Sequence, residues 1–216
     1  MLLGSHDPAC QEFIENYPES LIVKNLECLL LSTNHFIRRQ VIYTLGKTCS
    51  YSSVYTLLKA FNALRDTDPI LLPGLLGEMG WLGADNFWEI VEDMMTTQGY
   101  TTRWAVIEVL SQFLGQVQDE TFQSKYKCFE RLRQDSNYLV RSEAEYEYQL
   151  LKFRAEMHML PRAERKKKRR ELKQQYKPIL YFASIVTAFE NHLYSNDLNR
   201  YSVDELEAFI EAMSAI

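Results

Sequence analysis

Apolar side chains recur at helical spacing along most of this chain. The first clear stripe lies in residues 36–47 and consists of Ile37, Val41, Ile42 and Leu45. The next lies in residues 53–64 and consists of Val54, Leu57, Leu58, Phe61 and Leu64. Each set falls on one face of a helix, with Ser53 as an N-cap for the second. Since Gly46 and Ser50 separate the two stripes, the pattern predicts a helical hairpin.

This hairpin pattern returns three more times. Its apolar register recurs after 34, 65 and 103 residues, in 71–80, 102–110 and 140–148. Self-similarity at this period is typical of a solenoid, because each hairpin has a face that only a neighbouring hairpin can cover. The sequence therefore predicts an all-α fold, an α-solenoid of stacked antiparallel helix pairs with helical caps.

Two stretches resemble the HEAT repeat and its short bacterial relatives in phycobilisome lyases: Ile37-Arg38 to Gly46, and Asp135 to Val140-Arg141 with Ala144 following. The resemblance covers roughly residues 34–151, and the second repeat carries Leu72 in place of the arginine. It implies a HEAT-like superhelix in which the second helices line a concave face. It also implies that Arg38, Arg103 and Arg141 pack structurally between neighbouring repeats.

Helical patterns flank the repeats on both sides. The predicted division is an N-terminal helical cap at 1–33, HEAT-like repeats at 34–160, a basic helical segment or linker at 161–178, and a C-terminal helical cap at 179–216. The N-terminal cap would hold a short helix at 7–16 and a longer one at 20–31. The apolar residues expected to face inward from the longer helix are Leu21, Ile22, Leu26, Leu29 and Leu30. Near the C-terminus, Ser202 begins a sequence that resembles a capping box.

Four glycines spaced three residues apart, Gly74, Gly77, Gly80 and Gly83, run through a predicted helix. Each interior glycine costs a helix about 1 kcal/mol relative to alanine, so we expect close packing along this face. A groove for a partner, flanked by Trp81 and Trp88, is the alternative, although we favour core positions for both tryptophans. A phosphate-binding loop is disfavoured, because neither a preceding strand nor a following lysine is present.

Charge is unevenly distributed along the chain. Its 216 residues carry a formal net charge of −5, yet residues 162–177 hold nine Lys or Arg against two Glu, so the remainder carries −12. The densest basic patch consists of Arg165, Lys166, Lys167, Lys168, Arg169 and Arg170. A solvated helix face is the simplest interpretation; docking on acidic protein, contact with nucleic-acid phosphate and association with anionic lipid are the functional ones, in that order. The acidic remainder disfavours general nucleic-acid binding.

Catalytic and metal-binding patterns are not evident in the sequence. The histidines, His6, His35, His158 and His192, are far apart, and the cysteines, Cys10, Cys28, Cys49 and Cys128, are scattered and expected to be reduced. Neither HExxH nor GxSxG occurs. We therefore predict no metal and no cofactor, and we favour a non-enzymatic role. The absence of a long apolar run or an N-terminal signal pattern predicts a cytoplasmic protein that does not insert into membranes.

The favoured function is a scaffold or adaptor that binds another protein on the concave face. The residues on the second helices that lie off the apolar stripe, and are thus predicted to bind this partner, are Lys59, Asn62, Trp88, Glu92 and Lys125. Resemblance to the lyases raises one alternative, a phycobilin lyase or chromophore-protein chaperone. Another is a HEAT-like nucleic-acid-binding module that uses the basic patch. The sequence gives no oligomeric state.

Overall fold

The structure is a computed structural model that describes residues 19–47, 51–112 and 120–215. Within these ranges all regular structure is helical, with eleven α-helices and no strand. The helices are α1 (Glu19–Leu30), α2 (His35–Lys47), α3 (Tyr51–Leu64), α4 (Leu72–Trp81), α5 (Phe87–Met94), α6 (Tyr100–Gln112), α7 (Glu120–Leu132), α8 (Tyr138–Glu156), α9 (Arg162–Gln175), α10 (Phe182–Ser195) and α11 (Val203–Ser214). Short 3₁₀ turns lie at Pro69–Leu71 and Met157–Met159. The all-α prediction is confirmed for the described residues.

Most predicted helices appear close to their expected bounds. Helix α1 lies one residue from its prediction at each end. The inward face predicted for α1 is wrong in part, since Leu21 and Leu29 are 44% and 45% exposed whereas Leu30 is buried. The helix predicted at 7–16 lies outside the described residues.

The chain divides into two compact units. The first comprises the described part of residues 1–87 together with His192–Glu205. In it α2 packs on α1, α3 and α4, and α3 also packs on α1 and α4. These contacts bury most residues of the predicted stripes of α2, α3 and α4. The most deeply buried apolar side chains of this unit are Leu45, Leu57, Phe61, Leu72, Leu75, Leu76 and Met79.

The second unit comprises the described part of residues 88–191 together with 206–215. Helix α6 is its central element, because residues 101–107 are buried all round the helix, Trp104 among them. Helix α8 packs on α6, α7 and α9, so it presents one side to the core and another to the basic helix. The second unit thus has a conventional core and one helix, α9, with no buried residue.

The arginine at the start of α2 is a structural side chain. One guanidinium N–H group of Arg38 donates a hydrogen bond to the carbonyl of Ser32, six residues earlier. N–H groups on its other two guanidinium nitrogens donate to the carboxylate of Asp68. His35 Nδ1 at 3.2 Å and the Tyr201 hydroxyl at 2.6 Å contact the same carboxylate. Arg38 and His35 are therefore buried, whereas Ile37, predicted on the apolar face, is 37% exposed.

The second unit repeats this arrangement at Arg103. Its guanidinium donates to the carbonyls five and six residues earlier at 2.7 Å, and to the Asp135 carboxylate at 2.6 and 2.9 Å. Burial pushes the pKa of Asp135 upward, but the hydrogen bonds from Arg103 and the Asn137 amide outweigh it and lower that pKa. Arg141 makes the same two carbonyl bonds at 2.6 Å but remains exposed. The three arginines thus hydrogen-bond the starts of α2, α6 and α8 to the turns that precede them.

The spaced glycines have different roles. Gly83 adopts φ +75°, and the amides of Gly83 and Ala84 donate to the carbonyls of Gly80 and Met79, which is a Schellman ending for α4. Gly74 has room for a methyl group, since an added Cβ would meet only Ile42 Cγ2 at 3.7 Å. The predicted close packing therefore does not extend along the whole series.

Candidate functional site

The basic segment forms a separate helix between two prolines. Pro161, in extended backbone with ψ 150°, precedes α9, and the helix ends at Tyr176, whose amide donates to the Leu172 carbonyl. Proline lacks an amide donor and suits a helix start. Because every residue of α9 except the half-buried Leu172 is exposed, core burial does not explain why this helix forms here.

Cations of α9 occupy one face of the helix. The six that face α8 are Arg162, Arg165, Lys166, Arg169, Arg170 and Lys173. Their spacing alternates between three residues and one, the pattern by which apolar residues usually mark a buried face. On this helix, the face directed at its neighbour is cationic.

A groove of about 800 Å³ separates this face from α8. The α8 wall consists of Leu150, Phe153, Arg154 and the adjoining Met157, again spaced three, one and three residues apart. Phe153 is buried beneath the surface, Leu150 is half-buried and Met157 is 38% exposed. The groove therefore has one strongly basic wall and one mainly apolar wall, and its volume lies in the range of ligand-binding clefts.

The cations that line the groove make no direct ion pair with a described carboxylate. Lys168 binds Glu156 at 3.1 Å and Lys167 lies 3.9 Å from Glu171, but neither lysine lines the groove. Among the described residues, none of the seven lining cations has a carboxylate within 4.0 Å. Seven cations in one cleft repel each other, and a bound anion would reduce this repulsion.

A half-buried carboxyl lies on the same helix as the apolar wall. Burial raises the pKa of Glu147, while the nearby Arg154 and Lys125 act in the opposite direction. Arg154, which lines the groove, therefore interacts electrostatically with this carboxyl.

The structure places four of the six residues of the predicted basic patch on this wall. Arg165, Lys166, Arg169 and Arg170 line the groove, whereas Lys167 and Lys168 point elsewhere. The patch defined from sequence omitted three lining cations, Arg154, Arg162 and Lys173. Two of these continue the helical spacing of the patch and could have been found from it; Arg154 required the packing of α8 beside α9.

The five residues predicted to bind a partner differ in burial and in their surroundings. In the second unit, Trp88 and Glu92 line a pocket of about 370 Å³ together with Glu130 and Arg131 of α7. The prediction that Lys125 lies on the surface is wrong, because its side chain is only 2% exposed.

The other two predicted residues belong to the first unit. Lys59 and Asn62 are exposed there, and Lys59 is ion-paired with Glu27 at 2.7 Å. The expected core position of Trp81 is also wrong, since this side chain is 73% exposed, while Trp88 is half-buried.

A buried cysteine, Cys128, lines the smaller pocket. Burial, with a smaller contribution from Glu92, raises the pKa of the Cys128 thiol to about 11. The thiol therefore stays protonated at neutral pH and is a poor nucleophile or metal ligand. Over the ranges 19–47, 51–112 and 120–215, no three His, Cys, Asp or Glu side chains are grouped as metal ligands would be.

None of the described helices is both long and apolar enough to cross a bilayer. No protein-family model matches the chain, and no curated protein or solved structure matches it significantly. The groove between α8 and α9 therefore has to be interpreted from its own chemistry.

Proposed function

We propose that this chain is a non-enzymatic helical-repeat adaptor that holds an acidic segment of a partner protein in the groove between α8 and α9. The observation that carries the proposal is the row of unneutralised cations facing an apolar wall across about 800 Å³. A groove of this kind suits recognition of acidic motifs, in which charged contacts orient the partner and apolar contacts supply affinity.

The repeat pattern supports an adaptor rather than an isolated binding helix. Within the first unit, α2 and α3 pack on each other and both pack on α4; within the second, α6, α7 and α8 pack similarly. We take these as stacked helix pairs of a HEAT-like array. Equivalent arginine bonds at Arg38 and Arg103 support that interpretation, because such an array repeats its contacts from one pair to the next.

An acidic protein segment fits better than a nucleic acid. The remainder of the chain carries −12, and a long polyphosphate backbone extending beyond the groove would meet that negative charge. The cationic wall of α9 spans 12 residues, from 162 to 173, whose ends lie roughly 16 Å apart along the helix axis. A short acidic segment can match this length without leaving the basic surface.

The proposal is tested by charge reversal with a matched control. The double variant Arg165→Glu and Arg169→Glu changes two groove cations, whereas Lys167→Glu and Lys177→Glu changes the same net charge at exposed residues that do not line it. Fluorescence anisotropy would measure binding of a labelled oligoglutamate and of an RNA of similar charge. We expect salt-sensitive oligoglutamate binding that the groove variant loses and the control keeps. Tighter binding of RNA, or equal losses in both variants, would overturn the proposal.

A further inference from the structure

The two walls of the groove are faces of neighbouring helices, and a third helix could pack between them. The α8 wall follows the spacing of Leu150, Phe153 and Met157, and the α9 wall follows the cation series from Arg162 to Lys173. Both are therefore straight stripes along neighbouring helices. A groove between two packed helices accepts a further helix by the same rules that pack helices in a core.

The hydrogen-bonding needs of backbone amides and carbonyls favour a helical occupant over an extended one. Helices α8 and α9 satisfy their interior amides and carbonyls within themselves, so these walls offer no strand edge to an extended peptide. An extended segment would bring unpaired amides and carbonyls against Leu150 and Met157. A helical segment satisfies these groups internally and loses less on desolvation.

The two walls also determine which side chains the occupant needs. An apolar stripe would contact Leu150 and Met157, above the buried Phe153. The adjacent flank would face the six cations of α9, whereas α8 offers only Arg154 among its lining residues. Charge complementarity thus calls for acidic residues on one flank of the stripe, over about three helical turns.

We infer that the groove binds an amphipathic α-helix of about three turns that has an apolar stripe and one acidic flank. The inference rests on the proposed function, since it specifies the acidic partner segment that the groove holds. The apolar stripe contacts the α8 wall, and the carboxylates pair with Arg162, Arg165 and Arg169 on one row and with the remaining α9 cations on the other.

A designed peptide tests this specification with the full-length chain. The peptide has about 13 residues, with Leu at i, i+4, i+7 and i+11, Glu at i+1, i+5, i+8 and i+12, and alanine elsewhere. Its control has the same composition in an order that alternates Leu and Glu and so has no helical amphipathicity. We expect the control to bind at least about tenfold more weakly by anisotropy. A proline at the centre of the first peptide should produce a similar loss, because it breaks the helix.

A substitution in the apolar wall provides a second measurement. Met157→Gln changes an exposed side chain and leaves every cation in place. It should weaken binding of the amphipathic peptide severalfold more than it weakens binding of oligoglutamate. If designed, reordered and proline peptides bind equally, and all lose affinity on Arg165→Glu and Arg169→Glu, the helix inference is wrong but the proposed function stands. If no acidic peptide binds, the proposed function itself is wrong.

Discussion

Glu143 accepts the indole N–H of Trp104 at 2.5 Å inside the second unit, and both side chains are buried. The same carboxyl oxygen accepts the amide of Phe182, the first residue of α10, at 2.9 Å. Burial raises the pKa of Glu143 to about 8, and the two hydrogen bonds oppose this rise only in part. A glutamate of α8 thus caps the start of a later helix, although burial disfavours its charged form.

The raised pKa of Glu143 predicts a pH-dependent stability. The native state binds this proton more tightly than the unfolded state, so the stabilising contribution is full below about pH 4.5 and declines as pH rises to about 8. Glu143→Gln keeps an acceptor oxygen and cannot ionise. Relative to the parent protein, its free energy of unfolding should rise on going from pH 5 to pH 8.5, by on the order of a few kcal/mol. Urea unfolding at both pH values measures the change.

A matched control for this experiment is Glu89→Gln, in which an exposed carboxylate is neutralised. It should leave the difference between the two pH values close to that of the parent protein. If Glu143→Gln also leaves that difference unchanged, then Glu143 does not titrate between pH 5 and pH 8.5 in the folded protein.

Arg103 and Arg141 make the same carbonyl contacts but differ in burial. Arg103→Ala would leave the Asp135 carboxylate buried without its guanidinium partner, which should lower the free energy of unfolding by about 3 kcal/mol. Arg141→Ala removes bonds from an exposed side chain and should cost less than about 1 kcal/mol. Chemical denaturation of the two variants compares them directly, and equal losses would contradict this account.

Gly83 and Gly74 provide a second matched pair. Gly83→Ala forces a side chain into a positive-φ position and should destabilise the protein by about 1 kcal/mol. Gly74→Ala places a methyl in ordinary contact with Ile42 within α4 and should stabilise it by up to about 1 kcal/mol. Thermal unfolding should therefore move in opposite directions for the two changes. A loss at Gly74 as large as that at Gly83 would show that the helix face is closely packed.

Repulsion between the groove cations should lower the free energy of unfolding of the protein. Arg165 and Arg169 are four residues apart on one helix face, and like charges at this spacing cost a few tenths of a kcal/mol. Arg169→Gln should therefore leave the free energy of unfolding unchanged or raise it slightly at low salt, with the gain disappearing at high salt. A marked destabilisation in thermal unfolding would instead mean that Arg169 holds α9 in place.

Local sequence was sufficient for the helices and for much of the core. The apolar stripes of α3 and α4 and the capping residue Ser202 follow from spacing and propensity alone; the hydroxyl and amide of Ser202 and the amide of Glu205 make the expected reciprocal bonds at 2.7 to 3.2 Å. These features depend on residues three or four positions apart. Such relationships are visible in the chain itself.

Long-range contacts decided what local patterns could not. The sequence pattern predicts that Lys125 lies on the polar surface of its helix, yet the packing of α7 buries this side chain. Trp81 was predicted to lie in the core, yet its side chain is exposed. Likewise, Asp68 gains its importance from His35, Arg38 and Tyr201, the last 133 residues away. No spacing rule relates residues so far apart, because burial depends on which helices pack together.

By itself, the sequence determined that this is a helical protein with a repeated hairpin pattern and one strongly basic segment. Only the tertiary structure decided where the basic segment lies, because a helix with one cationic face can be fully solvated or can form the wall of a groove. Packing α8 beside α9 added Arg154 and an apolar wall and left Lys167 and Lys168 outside the lining. The physical reason is that charge density is a property of the chain, whereas a binding site requires charges and apolar surface from separate segments to face the same space.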